Sequence, residues 1–460
     1  MNRGYEASRT SEKGAARSPT RPSGGAAHRP RMRPWLGIAC FTVLAYLRVS
    51  SLAVPALFPV GAVSVLLVLP WLLSFSRYRF LVLLWVLAEV GVVVALLAGS
   101  ISLEVALGAY PIRIAVYFGV VAVFRSLFVW TPNETLAALA FAVLAIWSRL
   151  EGLATPEMVW KHVLFIPGCA IALLFARRGM LRVSASTAGV LAIGFIVSVY
   201  AGFRSAALIL VLTALICWWG WRARDSSPRH GRALVASCLL LVLSMFVIPR
   251  VAVEGYLGER VRESFIQDAQ AGGNVVLGGR SELPIGLAAV AEEPILGWGE
   301  VPIASAAIMS RAGSIADSFR MNVGSSVMRT WVGPESEQIT PHSVVMELWV
   351  SSGVAGLVLG LYLVWLAVLL AFRSLGDPTV GAAGVFIGLV CIWDLMFSPM
   401  ISGRDLLLAG VAFLVLSRRA AQDQVGGAPR MDANEEVLPR GTEEFGLQDQ
   451  MDRRRRVELG

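Results

Sequence analysis

The chain reads as an all-α polytopic membrane protein, with about twelve transmembrane helices and one large extracytoplasmic loop domain carrying short helices. Three observations predict this. Of 460 residues, 56% are hydrophobic and only 16% are charged, and the mean hydropathy of +0.66 lies outside the range of soluble globular domains. Apolar stretches long enough to cross a hydrocarbon layer of about 30 Å recur along most of the chain. They carry Leu, Val, Ala and Gly without the polar/apolar alternation of an outer-membrane barrel, so the spans are helices. A soluble enzyme with a tail anchor, a secreted disulfide scaffold and a nucleic-acid-binding domain are excluded, despite a net charge of +8.

Residues 1–34 are rich in Arg, Ser, Pro and Gly and predict a disordered cytoplasmic tail. Spans are then expected at 35–50, 55–74, 80–98, 111–129, 135–149, 160–176, 185–201, 204–221 and 233–249. The polar stretch 250–341 follows, with seven arginines and eleven carboxylates, and within it Leu283 to Val290 reads as a short helix. Three more spans are expected at 343–371, 380–397 and 405–417, so that 342–417 returns to the membrane before a second disordered cytoplasmic tail, 418–460. Charge sets the expected orientation. On one side the short loops hold eleven arginines (Arg77, Arg79, Arg125, Arg177, Arg178, Arg182, Arg222, Arg224, Arg229, Arg232 and Arg373), and on the other only Arg149, Arg204 and Arg404. Arginine is costly to translocate, so both termini are expected in the cytoplasm and 250–341 outside. All five cysteines fall in apolar runs, which implies no disulfide framework.

Soluble-enzyme motifs are missing: there is no Walker A, GxGxxG, GxSxG, HExxH or paired CxxC. Of four histidines, His342 alone stands where the long loop re-enters the membrane, in Pro341-His342-Ser343. Arg204 follows Tyr200-Ala201-Gly202-Phe203 at the expected outer end of a span, and Arg280 follows Gly278-Gly279 in the loop. An arginine at such a boundary is expensive unless it faces protein, water or an anion, and guanidinium groups grip phosphate oxygens bidentately. Position alone reads His342 as an interfacial anchor, Arg204 as a snorkelling charge and Arg280 as a solvated one. The intramembrane residues Arg48, Glu89, Arg113 and Asp394 either line the lipid path or pair with one another, and internal pairing is the expectation.

Four landmarks in order change that reading. They are Gly202-Phe203-Arg204-Ser205, Gly279-Arg280, Pro294-Ile295-Leu296-Gly297-Trp298-Gly299, and His342-Ser343 followed by Gly353 and Gly356. Together they resemble the O-antigen ligase and Wzy-type polymerase family over residues 190 to 370. The resemblance implies a GT-C-like glycosyltransferase of the inner (cytoplasmic) membrane. Its donor would be a polyprenyl-diphosphate-linked glycan and its acceptor a glycan or glycolipid, with membrane lipids around it, no nucleic acid partner, and neither metal nor other cofactor. On this reading His342 is the general base and Arg204 and Arg280 bind the diphosphate. Energy stored in the donor removes any need for a nucleotide motif. The competing reading is a transporter or flippase for lipid-linked glycans or another anionic solute, which needs arginines but no base. Its charges belong near the midplane between broken helices, whereas these cluster at the outer boundary.

Overall fold

The computed structural model describes residues 32–49, 54–150, 155–176, 185–222, 282–319, 341–377, 380–399 and 403–426, with isolated positions between 250 and 266 and between 321 and 339. Helices α1 (Met32–Tyr46), α2 (Leu57–Ser74), α3 (Ser76–Leu97), the short α4 (Leu103–Leu107), α5 (Tyr110–Phe128) and α6 (Pro132–Trp147) open the bundle. A composite helix follows, made of α7 (Pro156–Val159), a π-helical turn (Trp160–Leu164) and α8 (Phe165–Ala176). Next come α9 (Ala185–Tyr200), α10 (Arg204–Arg222), α11 (Leu283–Glu292), α12 (Ala306–Ser318), α13 (Val344–Gly376), α14 (Gly381–Phe397) and α15 (Arg404–Gly426). Two-residue strands, β1 (Arg48–Val49) and β2 (Val54–Pro55), pair antiparallel between α1 and α2.

Five of these stretches are long and apolar enough to cross a membrane: Leu57–Ser74, Tyr78–Leu97, Tyr110–Phe128, Pro156–Ala176 and Val344–Leu375. The protein is thus a helical membrane protein. Six further expected spans are also helical, in α1, α6, α9, α10, α14 and α15, while 233–249 lies outside the described residues. Large side chains face outward along these helices, Leu66 at 72% and Leu67 at 71% exposure among them. A contiguous surface of that kind is stable against lipid and not against water. The last helix runs past the expected boundary at 417 to Gly426, so the first residues of the expected C-terminal tail continue α15.

Small residues decide which helices touch. Lipid tails give apolar faces no reason to associate, so close backbone approach and dispersion must do it. Gly384 and Gly388, one helical turn apart on α14, press on Ser374 and on Ala367 and Ala371 of α13. A Cβ at Gly388 would come within 2.9 Å of the Ala367 carbonyl and of Ala371. Gly61 of α2 meets Val116 and Gly119 of α5 meets Val65, a register that makes α2 and α5 parallel neighbours. Rings fill the interior, with Phe118 edge-on to Tyr78, Trp85 and Phe413 at centroid distances of 6.0, 5.2 and 5.3 Å.

The tenth expected span, 343–371, needs correction. Helix α13 is broken at Gly353, whose φ of 59° and ψ of −149° belong to no helix. Gly356 packs on the Leu348 carbonyl and Gly360 on Val345. In a straight helix Val345 and Gly360 would stand about 22 Å apart. Residues 344–352 therefore fold back antiparallel against 354–376, and only the second arm, about 34 Å long, reaches across a bilayer. Continuous hydropathy through the turn hid it.

Around this hairpin sits a second, smaller core, in which Ile285, Ala288 and Ala289 of α11 and Ile308, Ala312 and Ala316 of α12 bury against Val350, with Trp298 and Met346 alongside. Arg311 of α12 closes it with an ion pair to Glu292 of α11 at 2.8 Å. The short helix expected from Leu283 to Val290 is α11.

Loop arginines sort by end as the alternation of helices requires. Arg125 donates to Ser417 Oγ (2.8 Å) and Arg373 to the Val415 carbonyl (3.3 Å), both toward the far end of α15. At the opposite end Arg149 lies 3.9 Å over the Tyr46 ring, Arg204 opens α10 and Arg404 opens α15.

Candidate functional site

Arg204 owes its place to Gly202. The chain leaves α9 through Gly202 in the left-handed region (φ 65°), with Gly202 N–H donating to Val199 O (3.0 Å) and Phe203 N–H to Ser198 O (2.8 Å). That bond pattern is the glycine-terminated helix end expected where a chain must reverse sharply. Arg204, half-buried, is the first residue after the reversal. The phenyl ring of Phe203 is wedged against Phe165 at 5.2 Å, and Phe165 in turn against Phe386 of α14 at 5.6 Å.

His342 is held by its neighbour. Ser343 caps α13, its Oγ accepting from Met346 N–H (3.3 Å) and donating to the Leu395 carbonyl at the end of α14 (3.0 Å). The histidine is thereby fixed at the base of the short arm, beside the α14–α15 turn. Arg280 lies outside the described residues; α11, which follows it, is well packed.

Contacts run from the start of α10 and from the start of α13 toward Arg404. Next to Leu395, Asp394 receives Arg404 Nε at 3.3 Å, and Arg404 also donates to the Pro399 carbonyl. His162, on the π-helical turn, lies in the field of Arg404 and of Lys161. Lys161 Nζ stands 5.7 Å from the centre of the Phe203 ring, one residue from Arg204. Lys161, His162, Arg204, His342 and Arg404 thus gather at one end of an otherwise apolar bundle. A second polar layer braces them. Arg113 is ion-paired with fully buried Asp405, whose other oxygen accepts from the N–H groups of Gly403 and Leu406, both at 2.9 Å. Tyr110 hydrogen-bonds Glu347, one turn past Ser343.

The expectation of internal pairing holds for Arg113 and Asp394, but their partners are Asp405 and Arg404 and not each other. Glu89 forms no ion pair among the described residues, and the Arg48 side chain lies outside them. Lys161, His162, Arg404 and Asp405 were not singled out from sequence. One signal was available: Lys161 is one of only two lysines in the chain.

The segment Pro294–Gly299 docks on the tip of the α13 hairpin. Breaking a helix frees backbone groups that must be satisfied, and here Val350 O accepts from Trp298 N–H (2.9 Å), Ser351 O from Gly299 N–H (2.8 Å), and Ile295 O from Val354 N–H (3.2 Å). Trp298 Nε1 donates to Ala289 O of α11 (2.9 Å). Gly297, Gly299 and Gly353 all have positive φ. A Cβ at Gly297 would fall 2.5 Å from Gly353 N, so backbone meets backbone. Beside the clamp, burial pushes the Glu300 carboxyl above its usual range. Two of the sequence landmarks are therefore halves of one structural joint.

Among the described residues no group of three or more His, Cys, Asp and Glu side chains converges to hold a metal ion. No model of a known protein family matches the chain, and no curated protein sequence matches it.

Proposed function

We propose that the protein is a membrane glycosyltransferase, a ligase or polymerase that passes a glycan from a polyprenyl diphosphate to a hydroxyl of an acceptor glycan or glycolipid. The observation that carries the reading is the gathering of Arg204, His342, Lys161, His162 and Arg404 at one end of an apolar helical bundle. Guanidinium groups suit the oxygens of an anionic donor, and an imidazole suits proton transfer from a hydroxyl. His342 takes the proton of the acceptor hydroxyl as that oxygen bonds to the anomeric carbon. The bond from that carbon to the diphosphate oxygen breaks, and the lipid diphosphate leaves with its electron pair. Arg204, with Arg280, stabilises the charge that develops on it. The site faces outward from the cytoplasmic membrane, with both termini inside and about twelve crossings.

The interrupted helix α13 is the one feature that favours a transporter or flippase, because such proteins bind solutes at broken helices. Three of its freed groups, Val350 O, Ser351 O and Val354 N–H, are however taken up by residues 295–299, which leaves fewer of them for a solute. The deciding experiment incubates purified protein with a polyprenyl-diphosphate glycan and candidate acceptors, with the product read by gel and mass. Transfer that disappears in His342→Gln is expected. Passage of the donor across a vesicle bilayer without transfer to any acceptor would hand the protein to the transporter class.

A further inference from the structure

The short arm of α13, residues 344–352, is fastened at both ends. At its foot Ser343 Oγ donates to the Leu395 carbonyl (3.0 Å), and at its tip Val350 O and Ser351 O accept from the Trp298 and Gly299 amides. Two end ties leave rotation about the line that joins them, because the apolar packing of the arm on Gly356 and Gly360 has no direction of its own. Such a rotation would swing His342, which stands immediately before the foot.

On the flank of the arm lies Glu347. It is only 3% exposed, in company with the buried Val344, Val345 and Leu348, and a carboxyl in such surroundings is costly unless hydrogen bonds hold it. Hydrogen bonds, unlike apolar packing, are directional. The Tyr110 phenol donates to Glu347. The Glu347 N–H in turn donates to Ser343 O (2.9 Å), and Ser343 is joined by a peptide bond to His342. From Tyr110 to His342 the path is therefore continuous: one side-chain hydrogen bond, one helical hydrogen bond and one covalent link.

Tyr110 is itself a fixed post. Pro111 stands beside it in the first turn of α5, where a missing N–H is no loss and the ring presets the helical backbone. Arg113 stands over the Tyr110 ring, its Cζ 5.7 Å from the centroid, and is ion-paired with buried Asp405 at the start of α15. The arm is thus referred, through Glu347 and Tyr110, to two helices that otherwise take no part in holding it.

We infer that Tyr110 is a positioning residue, which through Glu347 fixes the rotation of the short arm and so the direction in which His342 meets the acceptor hydroxyl. This rests on the proposed transferase reading and adds to it a residue that acts through another and takes no proton itself.

The test uses the full-length protein in phosphatidylcholine nanodiscs, with a polyprenyl-diphosphate disaccharide as donor and a glycolipid as acceptor. Tyr110→Phe keeps the ring under Arg113 and removes only the hydroxyl. Its kcat is expected to fall about ten-fold or more, because small misplacements of a reacting group are costly, while KM for the donor and the yield of folded protein stay at the wild-type level. Hydrogen exchange over residues 342–352 is expected to quicken in the same variant. Glu347→Gln, whose amide oxygen still accepts from the phenol, is expected to keep most of the transfer that Glu347→Leu loses. A wild-type kcat in Tyr110→Phe, whatever the exchange shows, overturns this inference and leaves the transferase reading standing. So does a loss that appears in donor KM or in folded yield with kcat unchanged, or a Glu347→Gln variant no better than Glu347→Leu. Absence of transfer by the wild type overturns both.

Discussion

His342 precedes a serine that both caps a helix and ties that helix to the end of α14, so the backbone holds its position. Substitution of the imidazole is therefore expected to leave the fold intact. His342→Gln keeps size and hydrogen bonding but accepts no proton at neutral pH, and transfer should fall by roughly 100-fold or more, the contribution of a positioned base. Near-wild-type transfer in the Gln variant would return His342 to the role of an anchor. Arg204→Lys exchanges a planar fork for a point charge, and a higher KM for donor with normal expression is expected; unchanged kinetics would deny it a part in donor binding. Asp405 behaves differently. Its carboxylate is fully buried against Arg113, and removing one partner of such a pair strands the other, so Asp405→Asn should cost about 3 kcal/mol. The double replacement Arg113→Met/Asp405→Leu should recover most of that in thermal unfolding. Equal losses in the single and the double variants would show that the pair itself contributes little.

At the scale of elements, the joint between 295–299 and the α13 hairpin governs where the short arm, and His342 at its base, can lie. Gly353→Ala puts a Cβ into the Ile295 carbonyl in a backbone conformation that only glycine adopts readily, a strain of about 2–3 kcal/mol. Hydrogen exchange should then speed up at Trp298 and Gly299, whose amides end on Val350 and Ser351. Unaltered exchange there would mean that the joint does not depend on the break. The same joint carries a pH signature. Burial raises the Glu300 carboxyl above its usual 4.5, so the folded protein takes up this proton at a higher pH than the unfolded chain does. Stability should rise as pH falls through the raised value and level off below 4.5, and Glu300→Gln should flatten that rise. A slope that persists in the Gln variant would assign it to another group. How far elements can be read from sequence also varies here. The Schellman turn at Gly202 follows from local rules, since glycine is the residue that ends a helix in this way. The fold-back at Gly353 does not, because 343–371 carries only Glu347 and a few serines among its apolar residues and windowed hydropathy is blind to a reversal between two arms. Its available trace was Gly356 and Gly360, spaced to line one helix face.

For the whole molecule, the separation of Arg125 and Arg373 from Arg149, Arg204 and Arg404 to opposite ends leaves a single question of which end is cytoplasmic. The excess of arginine in the short loops predicts, through the cost of translocation, that the end bearing Arg125 and Arg373 is cytoplasmic. A reporter fused after residue 225 should report the cytoplasm and one after residue 315 the outside. The same compartment for both would break the alternation of helices, and the reverse assignment would overturn the proposed topology and with it the proposed site.

The sequence by itself determined the helical membrane class and placed ten of the twelve expected spans on helices, because hydropathy acts along the chain and each helix satisfies its own backbone. Arg204, Arg280 and His342 stand out in the sequence as charged or titratable groups at the edges of apolar runs, and the structure places Arg204 and His342 at helix ends. Only the tertiary structure decided that Arg113 belongs to Asp405 and Asp394 to Arg404, that α13 doubles back, and that Lys161 lies against the Phe203 ring. Each of these depends on which helix faces which, and that choice is made by small residues admitting close backbone approach and by buried charges finding partners. Those are pairwise properties of positions far apart in the chain, and no window along the sequence contains both members of a pair.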